Sequence, residues 1–110
     1  MEGFVKGDIV VVNFPFSNQV DVKRRPVLII KVPSGDDIIV CQMTGQSYEK
    51  PVEIQIKRED LHQGKLSREG FVRLDKIVSL EKSLIKYKAA SLKPEKFNEI
   101  LDKLCNFLRG

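Results

Sequence analysis

Asp8-Ile9-Val10-Val11-Val12-Asn13-Phe14 is the stretch from which the fold is read. It is β-branched or aromatic almost throughout and apolar on both alternations, so neither face of an extended chain through it favours water. It reads as a central β-strand, ended at Pro15. Phe16-Ser17-Asn18-Gln19-Val20-Asp21-Val22-Lys23-Arg24-Arg25 follows, mostly polar and longer than a tight hairpin needs, and is therefore a candidate working loop. Pro26 starts the next strand, over residues 27–32, where its missing N–H matters least. A Pro33-Ser34-Gly35 turn leads into a third strand over 38–43, which makes the opening a meander.

Further along, Val52, Ile54 and Ile56 alternate with Glu53, Gln55 and Lys57, the pattern of a strand with one wet face. Residues 71–74 and 77–80 predict two more strands. Between the strand at 52–56 and these two, residues 59–64 read as a helical turn or irregular crossover with Gly64 as its stop. Residues 84–91 fit neither period and stay open between a last strand and a short helix. Pro94 suits a first helical position, Glu95 lies near the positive end of the helix, and Phe97, Ile100, Leu101, Leu104 and Leu108 recur at 3-4 spacing. Many short strands and one terminal amphipathic helix predict a β-rich α+β fold: a small, curled antiparallel barrel with the helix packed on or across it.

The chain has 110 residues, of which 42% are apolar, enough for one small domain over 1–110 with a modest core. No apolar run exceeds the four residues of 9–12, and no leader of basic, apolar and small residues opens the chain, so a soluble cytoplasmic protein without a membrane partner is expected. Cys41 and Cys105 show no disulfide framework, and both are expected as buried thiols. With one histidine, His62, no His/His pair or His-rich zinc site can form, and HExxH, Cys-x-x-Cys, Walker and GxGxxG patterns are absent. No metal or cofactor is expected. A Cys41/His62 catalytic pair is weighed against a core thiol, which the apolar run 38–41 favours. The net charge is +4, and the basic excess lies wholly in residues 56–110, where 13 basic side chains meet 8 acidic ones. The lysines there alternate with acids, as on an ordinary solvated surface, and the balance also permits a polyanionic partner.

Three pieces carry a resemblance: residues 6–17 (KGDIVVVNFPFS), 23–30 (KRRPVLII) and 70–85 (GFVRLDKIVSLEKSLI). Together with Thr44-Gly45-Gln46 at the end of the third strand, their order and spacing along almost the whole chain resemble the PemK/MazF family of type II toxin–antitoxin ribonucleases. The resemblance implies an SH3-like barrel, sequence-selective cleavage of single-stranded RNA without a metal, a homodimer, and inhibition by a cognate antitoxin. It is also compatible with operator DNA binding through the antitoxin complex. A binding toxin of the same fold, acting on a protein such as DNA gyrase, and a DNA-binding co-regulator are the competing readings.

The resemblance makes Arg25, in the Arg-Pro motif, the expected catalytic residue; by itself, an arginine there also reads as a strand-edge cation in a surface ion pair. Pro26 holds its backbone extended and gives the guanidinium a fixed base. Thr44, before Gly45, matches the family's threonine and can donate to a phosphate oxygen. The substrate's 2′-hydroxyl would attack the adjacent phosphorus while Arg25 neutralises the developing charge, and arginine's high intrinsic pKa favours that electrostatic role over proton transfer. Arg24, one residue earlier, should face the other way by strand alternation and touch phosphate at most. RNA contacts are further expected from Ser17, Asn18, Gln19 and Lys23 of the loop, from Gln46, and from Ser67. Phe16 offers a stacking surface or a core residue. The loop lacks a glutamate at the position where much of the family has one, so no role is carried over to Asp21.

Overall fold

The computed structural model describes residues 3–14, 23–48, 51–66 and 69–110, with Lys23 described by its backbone alone. Its elements are β1 (Asp8–Phe14), β2 (Lys23–Lys31), β3 (Asp37–Thr44), β4 (Glu53–Ile56), β5 (Leu61–Gly64), β6 (Gly70–Glu81), β7 (Ile85–Leu92) and α1 (Pro94–Arg109). Among the described residues the strands form one seven-stranded sheet in the order β4-β6-β3-β2-β1-β7-β5. Every pairing is antiparallel.

β1 is apolar on both alternations because both of its faces are covered. Ile9 joins Leu28, Cys41, Met43, Val72 and the helix residues Phe97, Ile100 and Leu104 in one cluster. Val10, Val12 and Phe14 join Val27, Ile29, Ile38, Val40 and Leu80 in the other. Ile9 and Val10 of β1, and Val27, Leu28 and Ile29 of β2, go alternately to opposite clusters by the strand period of two, so the sheet is the partition between two cores. Full burial of each such aliphatic side chain stabilises by roughly 1.5–3 kcal/mol.

The edge strands β4 and β5 are four residues each. Short edges expose little unpaired backbone. Lys57 and a 3₁₀ turn, Arg58–Asp60, join them and curl the sheet toward a barrel. Asp60 fastens this corner: its Oδ2 accepts the Lys57 N–H at 2.7 Å, its carbonyl accepts the Lys93 N–H at 2.9 Å, and its carboxylate lies 3.7 Å from Lys96 Nζ. The start of α1 is thereby tied to the barrel, with Pro94 at its first turn as expected.

Several expectations are corrected. Residues 61–64 are a strand, and Gly64 is no helix stop: at φ +78° a Cβ on it would come within 2.3 Å of the Ala89 carbonyl oxygen, so glycine is what lets β5 approach β7. The two strands expected over 71–80 are one twelve-residue strand, β6. It bends where its ladder with β3 jumps from Cys41↔Ile77 to Met43↔Val72, which accounts for the broken alternation. Residues 84–91, open between a last strand and a short helix, belong to the strand β7 from residue 85 on, which settles that choice rather than correcting it. Pro26 is the fourth residue of β2 rather than its start. On α1, Leu108 is 63% exposed, beyond the reach of the sheet, and Cys105 is exposed while Cys41 is buried. No helix among the described residues is long and apolar enough to cross a membrane.

Candidate active site

β2 changes character along its length. Its ladder with β3 begins at Val27↔Gln42, whereas before that point it pairs only with β1, through Val12↔Arg25 and Asn13↔Arg24. The break coincides with Pro26, which has no N–H to give. Continuing the register past the break would set Arg25 opposite Thr44, but the strands are not zipped there. A cleft of about 460 Å³ occupies the gap. Arg24, Arg25 and Pro26 form one wall, and Thr44, Gly45 and Gln46 at the end of β3 form the facing one. Glu69 and Gly70, at the start of β6, also line it, with Tyr48 and Leu66 at its margin. A Cβ on Gly70 would meet the Thr44 carbonyl oxygen at 3.3 Å and the Met43 methyl at 3.4 Å, so glycine keeps β6 close behind this wall.

Both arginines are solvent-exposed, and among the described lining residues Glu69 is the one carboxylate. Such a lining draws anions. Glu69 is held from one side, its Oε1 accepting from Gln55 Nε2 at 3.0 Å. Thr44 Oγ1 donates to the Gln46 carbonyl and accepts the Gln46 N–H, both at 3.3 Å. Those bonds are long for their type and face solvent, so an incoming anionic oxygen can displace the first of them. Thr44 thus makes the local turn bond that competes with a ligand role for any strand-end threonine, yet its hydroxyl sits on the cleft wall.

A second group lies beside this one. Arg73 grips Asp75 with Nε at 3.0 Å and Nη2 at 2.8 Å. The Asp75 carboxylate raises the Arg73 guanidinium above its ordinary value, and the same fork holds Asp75 below the usual carboxylate range. The Arg73 guanidinium carbon lies 5.8 Å from the centre of the Tyr48 ring. The Tyr48 N–H donates to both Glu53 carboxylate oxygens, at 3.1 and 2.9 Å, and Ser47 Oγ donates to Glu53 at 2.9 Å.

Of the residues singled out in the sequence, Arg25, Thr44 and Gln46 meet at the cleft. Arg24 meets them too, against the expectation that it would face away. Among the described residues β2 pairs at this end with β1 alone, and Arg24 and Arg25 both border the opening. Phe16, Ser17, Asn18, Gln19 and Ser67 lie outside the described residues, as does the side chain of Lys23. A Cys41/His62 pair is not formed. Cys41 is fully buried on β3, His62 is exposed on the edge strand β5, and β2, β1 and β7 stand between them. Burial, with the Asp75 charge second, pushes the Cys41 thiol up to about 11. Among the described residues no group of three or more His, Cys, Asp or Glu side chains could hold a metal ion. Sequence reasoning missed Glu69, Tyr48 and the Arg73/Asp75 pair. The pair had a signal, because residues i and i+2 on a strand share a face. Tyr48 had none beyond following Thr44-Gly45-Gln46.

Residues 5–108 match the family of PemK-like, MazF-like toxins of type II toxin–antitoxin systems. The crystal structure of MazF from Deinococcus radiodurans superposes with a TM-score of 0.74 at 23% identity, over 96% of this chain and 96% of that one. An endoribonuclease from a Mycobacterial species gives 0.75 at 18% identity, over 98% and 93%. A Mycobacterial endoribonuclease in complex with its cognate antitoxin gives 0.71 at 17%, over 96% and 95%. At these identities the structural likeness is one of fold. No curated protein matches the chain.

Proposed function

Because the chain belongs to the PemK-like, MazF-like toxins of type II toxin–antitoxin systems, we propose that its cleft is the active site of an endoribonuclease cutting single-stranded RNA. The observation that carries this reading is the opening at Pro26, where the β2–β3 ladder has stopped and Arg25 and Thr44 line one cleft. A phosphodiester enters there. Its adjacent 2′-hydroxyl attacks phosphorus, the bond from phosphorus to the 5′-oxygen breaks, and the products are a 2′,3′-cyclic phosphate and a 5′-hydroxyl. Arg25, with Arg24 beside it, neutralises charge growing on the non-bridging oxygens, and Thr44 donates to one of them. Glu69 takes the proton of the 2′-hydroxyl, and the departing oxygen takes one from solvent. No step calls for a metal ion or cofactor. Gln46 bonds a base edge or the backbone, with further contacts from Phe16, Ser17, Asn18, Gln19, Lys23 and Ser67.

Two of the proteins of similar fold are seen as complexes: the Mycobacterial endoribonuclease with its cognate antitoxin, and MazE–MazF of Deinococcus radiodurans. By the same logic this chain is held by a cognate antitoxin in the cytoplasm. An acidic antitoxin segment would occupy the basic cleft and compete with RNA, and the toxin itself works as a homodimer with RNA along the interface. Incubation of the purified protein with a long RNA in EDTA tests the central claim. Discrete fragments with cyclic-phosphate and 5′-hydroxyl ends are expected. A strict need for added magnesium, or 5′-phosphate ends, overturns it.

A further inference from the structure

Resting on the ribonuclease reading, we propose that the Tyr48 ring is a stacking platform for a nucleobase next to the scissile phosphate. Tyr48 is 53% exposed, on the segment that leaves β3 beside the catalytic wall, and it lines the same cleft as Arg25 and Thr44. An exposed aromatic ring on a connecting segment ordinarily moves freely. This one is anchored from two directions. Its backbone N–H is gripped by both oxygens of Glu53, and the guanidinium of Arg73 lies 5.8 Å from the ring centre. The guanidinium is itself locked by the two-pronged bond to Asp75. The arrangement buries no apolar surface of the core: Tyr48 belongs to neither cluster. Its result is a ring carried on a held backbone beside Arg73, with an accessible surface at the edge of an anion-attracting cleft.

A nucleobase is the ligand that such a ring fits. Bases splayed from single-stranded RNA stack on aromatic faces with little dependence on sequence, each stack changing affinity by roughly 5- to 150-fold. A ring ordered before binding loses less freedom when the base arrives. Arg73 and Asp75 are then positioning residues, which act on RNA through the ring.

The test uses an RNA carrying a site that the wild-type protein cuts, resynthesised with a 2′-deoxyribose at that site and 2-aminopurine at each neighbouring position in turn. Wild type and Tyr48→Phe are expected to bind alike and to quench the fluorescence of one of the labelled bases. Tyr48→Leu keeps an apolar cover over Arg73 but offers no π-face. It is expected to bind at least about five-fold more weakly, without that quenching. Circular dichroism and thermal melting check that each variant is folded, which its exposure favours. If Tyr48→Leu binds and quenches like wild type, the stacking role is wrong and the ribonuclease reading stands. If the wild-type protein cuts no RNA, both fall.

Discussion

The two halves of β2 are made of one strand and behave as two materials. Val27 and Leu28 are paired on both edges and fully buried, whereas Arg24 and Arg25 are paired, among the described residues, on one edge and are exposed. The dividing residue is Pro26. A proline within a sheet removes one donor, and here the loss falls where the β3 ladder stops. The lesson is that a rigid core can be made to present an opening without any loop of its own: the strand stays straight along β1 while its other neighbour peels away. Arg25 therefore has a backbone held as firmly as that of a core residue and a side chain that is free to meet a ligand.

The comparison breaks if the two halves respond alike to truncation. Leu28→Ala should cost about 2–5 kcal/mol of stability, measured as a lower urea midpoint, because the cavity forms between packed faces. Arg25→Ala should leave stability within about 0.5 kcal/mol of wild type and instead lower RNA cleavage at least roughly hundred-fold, as loss of one transition-state donor does. His62→Ala, far from the cleft, should change neither. Thr44→Ala should lower cleavage by roughly ten-fold, the size of one bond to a charged oxygen, with Thr44→Ser retaining most activity.

Two weaker effects sharpen the contrast. Cys41 lies in the sealed part of the sheet with its thiol pushed up to about 11, while Cys105 is exposed. At pH 8 a thiol reagent should modify one cysteine quickly, identified as Cys105 by peptide mapping, and reach the other only on unfolding. The smallest effect is electrostatic. Asp75 titrates below its unfolded value because Arg73 bonds its charged form. Its contribution is therefore fully present above the ordinary carboxylate pKa and is lost as pH falls through the depressed folded value. The stability difference between wild type and Asp75→Asn should be constant from neutrality to about pH 5 and shrink below about pH 4, by an amount typical of a partly exposed ion pair.

Legibility in the sequence followed the same division. β1 was readable because burial on both faces leaves an unbroken apolar run, and α1 because one buried stripe leaves a 3-4 period with a proline at its head. β6 was not readable as one strand, since past its bend Asp75, Lys76 and Ile77 are all exposed in mid-strand and interrupt the apolar pattern. β5 was hidden for a related reason: an edge strand of Leu61, His62, Gln63 and Gly64 buries almost nothing, so neither period marks it. At the site, the family resemblance pointed to Arg25 and Thr44, but not to the gap between them, which depends on where a ladder ends. Arg24, expected to face away, borders the cleft as well, at the end of β2 where the ladder with β3 has stopped. Glu69 and Tyr48 reach the cleft through the pairing of β3 with β6 and through anchors on β4 and β6, contacts between residues distant in sequence that no local pattern records.

The position of β1 between β2 and β7 also sets a clock. Its Asp8 is buried and accepts a 2.8 Å bond from Ser91 Oγ, 83 positions later in the chain. At about 5–20 residues per second of synthesis, Asp8 waits roughly 4 to 17 s for that partner. Loops of such length close slowly as well, so the sheet is completed late. The helix that seals the core behind Met43 and Val72 comes later still. The cleft's described lining falls between Arg24 and Gly70, whereas the core behind Met43 is completed by Phe97, Ile100 and Leu104, so a nascent chain that has already made Arg25 and Thr44 still lacks the packing behind them.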